Sequence, residues 1–154
     1  MNKINIRKAT LADLNILLLF EQEIIITERP YDPTLKEEKI NYYNIEKMIL
    51  EAQTEVLIAE IGFEIIGSGY ARIETAKPYL KHDSYAYLGF MYTDPRHRGK
   101  GVNAKIIEEL KEWCRSQKIT ELRLDVYNDN PSAIRAYEKV GFKNHLVNMR
   151  VRID

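Results

Sequence analysis

DPRHRGKGVNAK, residues 94–105, places five basic side chains and two glycines in twelve positions, directly after the aromatic-rich run YAYLGFMYT at 85–93. A loop of this kind invites three functional readings: a nucleic-acid patch, a dinucleotide fold, or a cradle for the phosphates of another cofactor. The plainer alternative is a solvated basic turn that bends at its glycines. Each reading demands a different context, so the rest of the chain decides among them.

The chain balances 23 Lys and Arg against 23 Asp and Glu, for a formal net charge of zero. A general nucleic-acid binder carries a basic excess to displace counterions from phosphates, so the basicity of this loop is local. A length of 154 residues suits one domain, 1–154, with a core of its own. The single cysteine, Cys114, excludes an intrachain disulfide and a multi-cysteine zinc site, and His82, His97 and His145 show no ligand spacing, so no metal is expected. LNILLLF at 14–20 is the richest apolar run and falls well short of the roughly 18 residues a membrane span needs. The start MNKINIRKA lacks a signal peptide's apolar core. These features predict a cytoplasmic protein without membrane or nucleic-acid partners; a homodimer is left open.

Working outward from the loop, Val102, Ile106, Leu110 and Trp113 recur at helical spacing and predict a helix running to about Gln117. Upstream, Glu55–Ile61, Ile65–Glu74 and Ser84–Thr93 are rich in Val, Ile, Tyr and Phe and read as three strands. The short link GFE between the first two is a hairpin signal, so this part of the sheet is expected to be antiparallel. Before them, Ile4–Arg7 alternates as a strand, and Thr10 with Asp13 opens a helix whose apolar side carries Ile16, Leu17, Phe20 and Ile24. That helix stops at ERPYDP, where two prolines intervene, and a second helical pattern is expected between Leu35 and Ala52. Downstream, Thr120–Tyr127 alternates as a strand, Asn130–Val140 is a helix with Pro131 in its first turn, and Gly141 precedes a last strand. The expected order is β-α-α-β-β-β-α-β-α-β.

Glycines between a strand and a helix let backbone N–H groups converge on an anion, and the helix dipole favours negative charge there. Gly99-Lys-Gly101-Val-Asn-Ala104 satisfies G-x-G-x-x-A, with Asp125 about twenty residues on. The dinucleotide reading nevertheless fails on context. DPRHR separates the strand from the first glycine, the preceding strands form an antiparallel meander, and too little chain follows for more βαβ units.

A second motif, NPSAIRAYEKVGF at 130–142, matches N-x-x-A-x-x-x-Y-x-x-x-G-F at every named position. Together with Arg98-Gly-Lys-Gly101-Val-Asn103, read as R-x-x-G-x-[G/A], it resembles the GNAT superfamily of acetyl-CoA-dependent N-acetyltransferases, and the order of elements fits that fold over essentially the whole chain. The resemblance implies an α/β (α+β) fold with a mixed central sheet of about six to seven strands flanked by about four helices. It implies acetyl-CoA as cosubstrate. Backbone groups of Arg98, Gly99, Lys100, Gly101, Val102, Asn103 and Ala104 would bind its pyrophosphate, and Met91, Tyr92 and Thr93 its pantetheine arm as an added strand would. Lys100 and Lys105, or Arg135 and Lys139, are candidates for the remaining phosphate. Asn103 departs from the family's small residue and either points away from the phosphates or crowds them.

Transfer of acetyl from a thioester to an amine needs a neutral amine, a polarised carbonyl and a neutralised leaving thiolate. Keeping an amine of pKa about 10.4 neutral at pH 7 costs roughly 4–5 kcal/mol, so a base, a relay or desolvation must contribute. Tyr137 matches the family's acid beside the coenzyme sulfur. Asp125, which alternates away from Leu122, Leu124 and Val126, matches a position where some members carry a catalytic carboxylate. Met91 N–H is the expected donor to the thioester oxygen. Asn130 caps its helix, touches the pantetheine, or both. Cys114 reads as a small buried hydrophobe, and His82 lies in a polar turn. Glu28, Arg29, Tyr31 and Asp32, with Glu21, are candidates for recognising a small polar amine. The expected function is therefore an acyltransferase acting on a primary amine in a ternary complex. A non-catalytic acyl-CoA sensor on the same fold is the alternative, and a nucleic-acid binder is third.

Overall fold

The computed structural model describes residues 3–154; Met1 and Asn2 lie outside the described residues. Five strands form one sheet in the order β1-β2-β3-β4-β5: β1 (Ile4–Lys8), β2 (Thr54–Ile61), β3 (Glu64–Thr75), β4 (Ser84–Thr93) and β5 (Leu122–Arg123). The first four pair antiparallel and β5 joins β4 in parallel, so the sheet is mixed. Four helices flank it: α1 (Leu14–Glu28), α2 (Ile45–Leu50), α3 (Val102–Ser116) and α4 (Pro131–Lys139).

The sheet is buried on both faces, which explains why β2 reads as continuous VLIA and not as an alternation. Val56 and Ile58 pack towards Leu17, Phe20, Ile45 and Met48 of α1 and α2. Leu57 and Ala59 pack on the other side, with Val102, Ile106, Leu110 and Cys114 of α3. Gly67 lets α3 come down onto β3: a Cβ there would meet the Tyr92 carbonyl oxygen at 2.8 Å and Val102 Cγ1 at 2.9 Å. The start of α1 is fixed to β1 through Asp13, whose carboxylate accepts both Arg7 Nη groups at 2.9 and 3.0 Å and the Thr10 N–H at 2.8 Å.

Three expectations require correction. The helix expected between Leu35 and Ala52 is formed only at Ile45–Leu50, because the Tyr42 and Tyr43 amides donate to Glu21 Oε2 at 2.8 and 2.7 Å and so hold the preceding loop out of helical pairing. The strand expected over Thr120–Tyr127 pairs only at Leu122 and Arg123, since β4 and β5 diverge beyond Tyr87. The last strand expected after Gly141 does not form among the described residues. The sheet therefore has five strands where six to seven were expected.

Candidate active site

The candidate site lies where β4 and β5 cease to pair. Ser68 pairs with Tyr92 and Tyr70 with Gly89, so Phe90 and Met91 of β4 have no register partner in β3. Phe90 is buried at φ +56°, a conformation a phenylalanine seldom adopts, and its carbonyl is held by the Ser68 hydroxyl at 2.9 Å. A bulge re-aims the strand that carries it. On its other edge β4 keeps β5 only at Ala86 and Tyr87, so the backbone beyond lies open along one side.

At the end of β4, Asp94 caps a short 3-10 turn and binds the Arg96 guanidinium and N–H, which hold its carboxyl down at about 2. Arg96 is also paired with Glu64, so it is occupied by the loop itself. Gly99 and Gly101 sit at φ +79° and +80°, and a Cβ on either would meet nothing within 4 Å. Their role is backbone direction in an open cradle. The first helical bond here runs from Lys105 N–H to Gly101 carbonyl at 3.1 Å, which leaves the N–H groups of Val102, Asn103 and Ala104 without helical partners. Asn103 Oδ1 accepts the Thr93 hydroxyl at 2.8 Å, so its carboxamide is held against the end of β4. Arg98 and Lys100 are exposed at the rim, Lys100 beside His97 at 3.3 Å.

Asn130 Oδ1 accepts the Ala133 N–H at 3.2 Å and caps α4, the helix that carries Tyr137. The Tyr137 ring packs edge-on to Phe142 at 5.8 Å and against the α3 side of the core. Burial, then the charge of Glu28, pushes its phenol up to about 12. Tyr92, on the other side, stacks at 4.4 Å on Phe20 of α1.

Glu28 ends α1, and burial raises its carboxyl above the usual carboxylate range. The buried Tyr42 hydroxyl lies beside it without a well-formed hydrogen bond. Burial and the charge of Glu28 also raise the Tyr42, Tyr43 and Tyr127 phenols, so several tyrosines converge on this one carboxylate. Tyr31 stacks on Tyr127 at 5.5 Å. Not every candidate joins this group. Arg29 donates to the carbonyls of Lys36 and Glu38 at 2.6 and 3.0 Å and stiffens the loop. Glu21 is fully buried in the loop contact described above. Asp32 binds Thr34 and Arg150. Asp125 is exposed and accepts the Tyr87 hydroxyl at 3.2 Å. His82 sits beside Glu121 at 3.7 Å, at the opposite end of β5, and burial raises the Cys114 thiol, which keeps it protonated. Sequence reasoning missed the bulge at Phe90 and the tyrosines Tyr42 and Tyr127, none of which falls in a spaced motif.

The Acetyltransferase (GNAT) family matches residues 20–142. The chain belongs to this family. Its matched residues run from Phe20 in α1 to Phe142 after α4, and so include the β4 bulge, the glycine loop and Tyr137. An N-acetyltransferase of Bacillus subtilis, YobR, is 33% identical over 60 residues, 39% of this chain. The matched stretches span about a quarter of the length of the curated relatives, 24% and 26%. A four-fold mutant of the BH1408 protein from Bacillus halodurans is 18% identical with a TM-score of 0.86, covering 97% of this chain and 99% of that one. A predicted acetyltransferase from Clostridium acetobutylicum, solved with acetyl-CoA, is 21% identical with a TM-score of 0.74 over 97% of this chain and 96% of its own. These structural likenesses are of fold. Among the described residues no group of three or more His, Cys, Asp or Glu is placed to hold a metal ion, and no helix is long and apolar enough to cross a membrane.

Proposed function

We propose that this GNAT protein transfers acetyl from acetyl-CoA to a positively charged primary amine by direct attack. The observation that carries the reading is the alignment of two open backbone surfaces: the β4 edge released at Phe90–Met91, and the free N–H groups where α3 begins. An extended amide arm suits the first and a pyrophosphate the second. When bound, acetyl-CoA supplies a thioester whose acetyl group passes to nitrogen and whose sulfur leaves.

In this reading the acceptor ammonium enters among Tyr31, Tyr42 and Tyr127, whose ring faces and hydroxyls suit a cation, with Glu28 as its counter-charge. Glu28 takes one proton from the ammonium, directly or through water. A raised carboxyl pKa moves it towards the working range of a base. Asp125 keeps an exposed position bound to Tyr87, so Glu28 is the carboxylate we assign. Met91 N–H faces the carbonyl oxygen. As the C–N bond forms and the C–S bond breaks, Tyr137 donates a hydrogen bond to the departing thiolate, and the second nitrogen proton, lost as the amide forms, passes to that sulfur so that coenzyme A leaves as the thiol. A phenol at about 12 stays protonated throughout the physiological range and acts as a donor more than as a full acid.

Thiol release with acetyl-CoA across a panel of amino acids, polyamines, aminoglycosides and peptide N-termini tests the proposal, with acetyl-CoA binding measured separately. The expected result is release that depends on a cationic amine. Binding without turnover on any amine replaces the enzyme with a sensor, and absence of binding overturns both.

A further inference from the structure

Three consecutive residues of β3, Ser68, Gly69 and Tyr70, each meet one residue of the β4 bulge. The Tyr70 ring covers Gly89, where a Cβ would come within 2.5 Å of the phenol oxygen and 2.6 Å of Cζ. The Met91 thioether lies over Gly69, beside Ile106 of α3, and a Cβ on that glycine would meet its Sδ at 2.5 Å. The Ser68 hydroxyl donates to the Phe90 carbonyl at 2.9 Å in a fully buried bond. Phe90 turns its ring to the other face of the sheet, 5.2 Å from that of Tyr43.

Two residues of β4 thus stand against one of β3, and the register that directs the other peptide groups of this pair is interrupted here. The peptide group between Phe90 and Met91 is trans, so its carbonyl and its N–H point opposite ways. A carbonyl held on Ser68 of β3 therefore turns the Met91 N–H away from β3, towards the edge of β4 that β5 leaves open beyond Tyr87. Phe90 stands at φ +56°, a conformation that persists only where the surroundings hold it, and the Ser68 bond acts on that same peptide group.

We infer that Ser68 is a positioning residue for acetyl transfer: its hydroxyl fixes the Phe90 carbonyl and thereby aims the Met91 N–H at the thioester oxygen. This rests on the proposed role of that N–H and names the side chain on which the role depends. Ser68 is 0% exposed, so it touches neither cosubstrate nor acceptor and acts through the peptide group alone. A donor aimed in advance stabilises the charge that develops on oxygen without reorganising during the reaction. Without the hydroxyl, the buried carbonyl loses a partner and the peptide group loses the contact that fixes its direction.

The test reads the thioester carbonyl directly. Infrared difference spectra of acetyl-CoA, isotope-labelled at the carbonyl carbon, are recorded on wild type and Ser68→Ala with no amine present, and kcat and acetyl-CoA Kd are measured alongside. Wild type is expected to lower the carbonyl stretch below that of free acetyl-CoA. Ser68→Ala is expected to lose most of that downshift and to lower kcat by about ten to a hundredfold, less than outright removal of an oxyanion donor, while Kd stays within a few fold. A serine that served the fold alone would lower Tm and leave the stretch in place. A downshift retained in Ser68→Ala, or an unchanged kcat, therefore overturns this inference and leaves the catalytic reading standing. A wild-type complex with no downshift removes the Met91 donor and this inference with it, while amine-dependent thiol release still reports on acetyl transfer. Should Ser68→Ala not fold, Ser68→Cys decides, since it keeps the shape of the side chain with a weaker donor: a partial loss of the downshift is expected, and an unchanged one overturns the inference.

Discussion

On the wall proposed for the cofactor the polar groups are main-chain groups: the free N–H groups of Val102, Asn103 and Ala104, and the β4 edge left open beyond Tyr87. On the wall proposed for the acceptor they are side chains drawn from separate parts of the chain, with Glu28 from α1, Tyr31 and Tyr42 from the segment that follows it, and Tyr127 from the stretch after β5. The first wall is fixed by local backbone direction and tolerates changes of side chain; the second changes its chemistry with any one residue. In the proposed reading, that division of materials suits a cofactor site common to a family beside an acceptor site open to variation.

The strongest way to break the comparison is at Glu28. Glu28→Gln is expected to lower kcat/KM by about a hundred to ten-thousandfold while acetyl-CoA affinity stays within a few fold, whereas Asp125→Asn changes turnover only a few fold. Stability is expected to move the other way. A carboxyl raised by burial binds more protons folded than unfolded, so its contribution falls as pH rises above the unfolded value near 4.3. Glu28→Gln should therefore keep or raise Tm at pH 7 while abolishing the acidic limb of the rate profile. A large loss in Asp125→Asn with little in Glu28→Gln would return the base to Asp125.

Tyr137 belongs to neither wall alone, since its ring packs on the α3 side while its phenol senses Glu28. Tyr137→Phe is expected to lower kcat by about ten to a thousandfold with little change in acetyl-CoA Kd. Because the phenol sits at about 12, the wild-type profile should show no descending limb from it below about pH 10. Equal turnover by both proteins would remove Tyr137 from the reaction.

The same division explains what could be read from the sequence. The glycine loop, the cap at Asn130 and the position of Tyr137 were legible because each lies in a short stretch whose spacing is set by one helix end. The bulge was not, since nothing in YLGFMYT announces a phenylalanine at positive φ; it is imposed by β3, through Ser68 and the Tyr70 ring that fills the space over Gly89. Ile40, Tyr43 and Met48 imitate helical spacing, but Glu21, distant in sequence, takes the amides that a helix would have used. The final strand was legible as a pattern and failed as an element, because alternation specifies a face and says nothing about whether a neighbouring strand stands beside it.

The proposed cofactor wall is sharpened by two substitutions at the start of α3. Gly101→Val places a branched side chain at φ +80°, a cost of roughly 1–2 kcal/mol that the loop relieves by turning its N–H groups away, so acetyl-CoA Kd should weaken about tenfold. Asn103→Gly is the smaller change. The Asn103 carboxamide is engaged by Thr93 at the strand end, so what faces a ligand here is the Asn103 N–H, and glycine retains it. Kd for acetyl-CoA should shift by less than about twofold, the lost tie between β4 and α3 offsetting any added room. Marked tightening in a titration of the variant would show that the asparagine crowds the cradle, and the main-chain description of this wall would then need one side chain written into it.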